Sequence, residues 1–144
     1  MSDRTVPAYG PIFRHQNRTM RQLLLLLAVF VLSCTVPGQG KGTVDPTGFE
    51  ARIGEKGVQL LDVRTAGEFQ GGHLAEARNF DWTNGDLKAA VPQLDKTKPV
   101  LLYCASGRRS AAAREYLLEQ GFTDVVDLAG GIGAWTNAGK PVVH

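Results

Sequence analysis

Beyond residue 44 the apolar positions fall in short clusters separated by Gly, Pro and charged residues, and the clusters alternate between two periods. Asp45-Pro46 reads as a helix N-cap followed by proline at the first helical position. Phe49 and Ile53 then share one helical face, and Gly54 and Gly57 close the segment. Val58 to Val63 predicts a short strand ending at Asp62-Val63-Arg64. Glu68-Phe69 makes one helical turn before Gly71-Gly72-His73. Ala77 to Phe80 predicts a second short strand, and Asn84 to Val91 a weak helix closed by Pro92. Pro99 to Tyr103 is the clearest buried strand. Ser110 to Gln120 is the clearest helix, with Ala113 and Leu117 on one face, Leu118 adding to it, and Gly121 as its C′ residue. Phe122 to Leu128 holds a strand at Val125-Val126. Gly130-Gly131 turns the chain into a last helix around Ala134-Trp135. Strands alternating with helices define an α/β domain with a mainly parallel sheet. No internal repeat is present.

The first forty residues follow another pattern. Leu23 to Leu32 is an unbroken apolar run of ten, half of the roughly 20 needed to span a bilayer. Behind Arg18 and Arg21 it fits the core of a signal peptide. Val31-Leu32-Ser33-Cys34 resembles a bacterial lipobox, in which the cysteine is acylated and becomes the first mature residue. Thr35 to Thr43 is rich in Gly and Pro and reads as a flexible tether. The organisation expected is thus a lipoprotein-type signal over residues 1–33, a tether over 34–43 and one domain over 44–144. Cys34 would anchor the domain to a membrane of the cell envelope, facing the periplasm or exterior. Thr35 after the cysteine, rather than Asp, points to the outer membrane where there are two. Met20 is the expected translation start.

Charge changes the picture little. Four of the 16 basic residues precede position 34, against one of the 14 acids, so the remainder carries a net charge of −1. A near-neutral body argues against a nucleic-acid footprint. Two cysteines, Cys34 and Cys104, make no disulfide framework, and no Cys/His cluster has metal-ligand spacing. Asp124 and Asp127 read as solvated strand flanks, His73 as structural, and Trp82 and Trp135 as packing residues.

The chemistry concentrates after the clearest strand, at Cys104-Ala105-Ser106-Gly107-Arg108-Arg109-Ser110. A helix N-terminus and cations lower a cysteine pKa from about 8.5. Gly107 lets the backbone curl, and the N–H groups ahead of the helix form an anion nest. Two covalent cargos fit, phosphate and sulfur. Cysteine phosphatases place five residues between Cys and Arg. Here four separate Cys104 from Arg109, which leaves less room and favours a single sulfane sulfur.

Three motifs in order then resemble the single-domain rhodaneses, the thiosulfate sulfurtransferase-like family. They are Leu61-Asp62-Val63-Arg64 with Glu68-Phe69 and Gly72-His73-Leu74, the loop Cys104 to Ser110, and Gly130-Gly131-Ile132-Gly133-Ala134-Trp135. One departure is Glu76, which stands where the family usually has Gly. The resemblance covers about Asp45 to Val142. It implies a three-layer α/β fold with five mainly parallel strands and helices on both faces, and no cofactor. It implies that Cys104 attacks the outer sulfur of a small sulfur-containing anion, becomes a persulfide, and passes the sulfur to a thiol, cyanide or a protein thiol. The N–H groups from Ala105 to Ser110, through Ser106, Gly107, Arg108 and Arg109, would stabilise the persulfide. Arg109 would hold the loop or the donor's charge, and Ser110 would cap the helix. Asp62 would sit near the loop holding backbone groups, and Arg64 and Glu68 would form an ion pair. A non-enzymatic persulfide carrier or interaction module is the alternative, followed by a phosphatase or arsenate reductase of related fold.

Overall fold

The structure is a computed structural model that describes residues 42–144. The Leu-rich run, Met20, Cys34 and tether residues 34–41 lie outside the described residues. From Gly42 onward the chain forms β1 (Gly42–Val44), α1 (Pro46–Ile53), β2 (Gln59–Asp62), α2 (Ala66–Gln70), β3 (Arg78–Asn79), α3 (Asp86–Ala90) with a 3-10 turn at Val91–Gln93, β4 (Val100–Tyr103), α4 (Arg108–Glu119), β5 (Val125–Leu128) and α5 (Gly131–Asn137). The strands make one five-stranded sheet in the order β1-β5-β4-β2-β3. Every neighbouring pair is parallel.

β4 is buried at all four positions, as a central strand covered on both faces requires. Its side chains alternate between two cores. Val100 and Leu102 join Leu61, Leu87, Ala113, Leu117 and Val125 beneath α3 and α4. Leu101 and Tyr103 join Phe49, Leu74, Val126, Leu128 and Trp135 beneath α1 and α5. Burying each such Leu or Phe contributes about 1.5–3 kcal/mol. The two layers therefore clamp β4, and with it the start of the loop that follows.

Several expectations are met in detail. Asp45 accepts the Gly48 N–H at 2.8 Å with Pro46 in the first turn. Gly121 has φ +89° just past α4. Trp135 is buried, packs edge-on to Phe49, and donates its indole N–H to the Pro141 carbonyl. Trp82 packs against the α3/α4 core. His73 stacks on Phe69 and pairs through its backbone with Val143.

Others are corrected. β1 takes Gly42 and Thr43 out of the expected tether. It pairs with β5 from Gly42–Val126 to Val44–Leu128, and Ala129 N–H donates to the Val44 carbonyl at 2.8 Å. Asp127 is not solvated. It lies within β5 at 1% exposure, accepts the Thr43 hydroxyl at 2.8 Å and stands 3.3 Å from the Arg114 Nε. Asp124 accepts both terminal nitrogens of Arg52, at 3.0 and 2.7 Å. Pro92 falls inside the 3-10 turn that prolongs α3 rather than ending it. Helix α4 starts two residues before Ser110, at Arg108, because Gly107 turns the chain at φ +95°. Glu76, the departure from the family pattern, is the one non-glycine described with positive φ, at +64°.

Candidate active site

Cys104 follows the last residue of β4, so the rigid centre of the sheet sets its position. The side chain is 1% exposed and faces the α3/α4 core. Its Sγ accepts the Gly107 N–H at 3.1 Å and lies 3.6 Å from the Ser110 hydroxyl. Burial alone pushes the thiol pKa up. Hydrogen bonds from the backbone and hydroxyl of Ser110, and from the Ser106 and Gly107 N–H groups, outweigh it and leave the thiol below its ordinary value. Cys104 is thus held ready to ionise.

The loop is shaped from behind by α5. Ile132 N–H donates to the Cys104 carbonyl at 2.8 Å, and Gly133 N–H to the Ala105 carbonyl at 3.2 Å. No peptide here is cis. In a planar trans peptide the C=O and N–H point opposite ways, so binding these two carbonyls to α5 turns the Ala105 and Ser106 N–H groups away from α5. Gly131 makes the approach possible. A Cβ there would lie 2.6 Å from the Ala105 carbonyl carbon, and closer still to the Cys104 carbonyl oxygen. The Gly-rich run after the last strand is therefore the cradle's backing. Its three glycines were the signal in the sequence, but their role in setting the loop was not read from it.

Arg109 is committed to the protein. Its guanidinium makes a two-pronged contact with Glu68, at 2.8 and 2.7 Å. Glu68 is placed by a capping box on α2, giving and receiving hydrogen bonds with Thr65. Arg109 first, then Thr65, lowers the Glu68 carboxyl to about 2 against the opposing effect of burial. The pair ties the loop's helix to α2. Arg108, the neighbouring cation, is exposed and takes part in no ion pair among the described residues.

The expected Arg64–Glu68 pair does not form. Arg64 Nε and Nη2 go to Asp62, the shortest contact at 2.6 Å, and Nη2 also donates to the Gly72 carbonyl at 2.7 Å. Asp62 also accepts the Arg64 backbone N–H at 2.9 Å, and is fully buried. Asp62 thus holds neighbouring backbone and a guanidinium rather than the loop. Arg64 lies over the Tyr103 ring at 5.6 Å, and the Tyr103 hydroxyl accepts the Leu74 N–H at 3.0 Å. This cluster supports the end of β4 from the face opposite α4. A cavity of about 320 Å³ borders it, lined by Glu68, Ile132 and Gly133 among others and not by Cys104. Ser110 does not cap α4. It is the third helical residue, and its hydroxyl donates to the Gly107 carbonyl at 3.0 Å.

Cys104 thus lies buried and acidified after the central strand of a parallel α/β sheet, with backbone N–H groups of the following loop around its sulfur. The Rhodanese-like domain profile matches residues 45–138 of this chain, and the chain belongs to that family. It is 40% identical over 83 residues to a Shewanella oneidensis protein named Thiosulfate sulfurtransferase GlpE, covering 58% of this chain and 80% of that one. A Vibrio cholerae protein of the same name is 34% identical over 100 residues, 69% of this chain and 92% of that one. The crystal structure of a rhodanese-related protein from Thermoplasma volcanium superposes with a TM-score of 0.63 at 34% identity, covering 70% of this chain and 96% of that one. The five-stranded parallel sheet with helices on both faces is the rhodanese fold.

Proposed function

We propose that this protein is a sulfurtransferase that carries sulfane sulfur as a persulfide on Cys104. The observation that supports this most is the Sγ itself, acidified in a loop whose two preceding carbonyls are held back by α5. Thiosulfate is the proposed donor, in keeping with the names of the Shewanella and Vibrio relatives. The Cys104 thiolate attacks the outer sulfur of thiosulfate. The sulfur–sulfur bond of the donor breaks, its electron pair leaves with sulfite, and Cys104 becomes a persulfide anion. In the second half-reaction cyanide or a thiolate attacks the outer sulfur. The new bond forms to that sulfur, and the persulfide bond's electron pair returns to Sγ. Charge and atoms balance in both halves with no external oxidant.

Because Arg109 is neutralised by Glu68, Arg108 is the loop cation left for the sulfonate end of the donor. Glu68 and Arg109 hold the loop, and Asp62 with Arg64 supports the strand end behind it. The N-terminal pattern supports export and lipid attachment at Cys34 on a membrane of the cell envelope. In that mature form Cys104 is the remaining thiol, so its sulfur must pass to another molecule. Parallel pairing puts Gly42 level with Val126, and Val126 level with Leu101. The chain thus enters the domain on the side of the sheet away from the Cys104 loop. The test of the activity is sulfur loading of Cys104 by thiosulfate and loss of transfer to cyanide in Cys104→Ser. Retained transfer in that variant contradicts the proposal. For the anchor, Cys34→Ala should release the protein from the membrane fraction, and persistence there excludes lipid on Cys34.

A further inference from the structure

Ser110 is fully buried in the first turn of α4, and its hydroxyl faces two acceptors. The Gly107 carbonyl lies at 3.0 Å and the Cys104 Sγ at 3.6 Å. A hydroxyl has one proton to give, so it serves one acceptor at a time. The Gly107 carbonyl also accepts the Ala111 N–H at 3.0 Å. It therefore stays satisfied if the hydroxyl turns away, and the turn leaves no buried polar group unpaired.

We infer that the Ser110 hydroxyl is a switched donor, bound to the Gly107 carbonyl while Cys104 is a thiol or persulfide and to Sγ while it is a thiolate. This switch rests on the persulfide cycle above and places Ser110 in a particular half of it. In the persulfide the negative charge sits on the outer sulfur, and Sγ is a weak acceptor. As an acceptor molecule pulls the outer sulfur away, charge develops on Sγ. The hydroxyl then swings onto it and stabilises the leaving thiolate. In the loading half the same contact acts in reverse. It raises the fraction of thiolate at low pH, yet it lowers the attacking power of each thiolate, since nucleophilicity falls with pKa.

The charged groups on the elements packed around the loop, Arg108 apart, are held in pairs or hydrogen bonds of their own. Arg108 on α4 is exposed, and Arg109 on α4 is paired with the ionised Glu68 on α2. Asp62 on β2 is paired to Arg64, and Asp81 after β3 accepts from the Thr83 N–H and hydroxyl. The first turn of α5 bears no charged side chain.

The test compares wild type, Ser110→Ala and Ser110→Thr in the full chain. The first readout is the rate of Cys104 alkylation by iodoacetamide against pH, followed at the Cys104 peptide. Removing a hydrogen bond to a charged group should raise the alkylation midpoint by about one pH unit in Ser110→Ala. Ser110→Thr, which keeps the hydroxyl, should restore it. The second readout separates the half-reactions well above both midpoints. There persulfide discharge to cyanide should slow about three- to tenfold in Ser110→Ala, while loading from thiosulfate quickens about threefold. An unshifted alkylation profile overturns the inference, as does equal slowing of loading and discharge at every pH, which marks a loosened loop. If wild type never loads sulfur but the alkylation midpoint still shifts, the sulfurtransferase reading fails while the hydroxyl's hold on the thiolate stands.

Discussion

Gly131→Ala is the substitution that most directly probes how the loop is held. Two effects add. The first is conformational: φ at Gly131 is +59°, where a Cβ costs roughly 1–2 kcal/mol. The second is steric. The new Cβ would sit 2.6 Å from the Ala105 carbonyl carbon and 2.7 Å from its oxygen, while ordinary contact begins at 3.4 Å. Backbone therefore has to move by about 0.7 Å or more, and the atoms in the way are the two carbonyls that set the loop's N–H groups. The combined loss of stability is about 2–4 kcal/mol. A loop displaced by nearly 1 Å loses about 10²-fold in reactivity. Gly139→Ala is the control, since its φ is +71° with nothing within 4 Å of the added Cβ. It carries the conformational cost alone, about 1–2 kcal/mol, at a site remote from the loop. Denaturant melts give the stabilities, and the second-order rate of Cys104 alkylation at fixed pH gives the reactivity, measured under conditions where each variant is folded. Equal alkylation rates in the two variants would refute the claim that α5 shapes the loop.

Three further outcomes follow from the same contacts. Glu76→Gly should raise stability by about 0.5–1 kcal/mol, because it removes a left-handed non-glycine at an exposed position, less the entropy glycine adds to the unfolded chain; a lower melting temperature would contradict this. Glu68 has a folded pKa of about 2, below the ordinary 4.5. Its contribution is therefore complete above about 4.5 and is lost as pH falls toward 2. With the side chain 35% exposed, that loss is about 1 kcal/mol after screening. It should appear as a steeper acid destabilisation of wild type than of Glu68→Gln, and parallel curves would exclude it. Arg108→Ala should raise KM for thiosulfate about fivefold with stability within about 0.5 kcal/mol of wild type, and a larger effect on cyanide than on thiosulfate would point to another donor site.

The alternation of strand and helix was legible because β4 is short, apolar and bounded, and α4 keeps one apolar face through Ala113 and Leu117. The cysteine loop was legible because Gly107 and the two arginines follow a buried strand. What stayed hidden depends on partners distant in sequence. β1 is three residues with no period of its own, and only its bonds to β5 make it a strand. Asp127 looked exposed because it is charged, yet Thr43 and Arg114 meet it in the interior. One Asp127 oxygen has no hydrogen-bond partner among the described residues, and burial holds its carboxyl above the ordinary value. Arg64 and Glu68 stand four apart, the spacing of partners on a helix. Arg64, however, precedes α2, so that spacing does not bring them together, and Asp62 takes the guanidinium instead. Likewise Ser110 looked like a cap until Gly107 started the helix two residues earlier.

Everything proposed for this site requires that Cys104 itself carries the sulfur. Intact-peptide mass measurement after incubation with thiosulfate, followed by cyanide, tests it most directly. The Cys104 peptide should gain about 32 Da, one sulfur atom. Cyanide should then remove this mass with matching formation of thiocyanate. A Cys104 peptide that stays unmodified while thiocyanate still forms would contradict it.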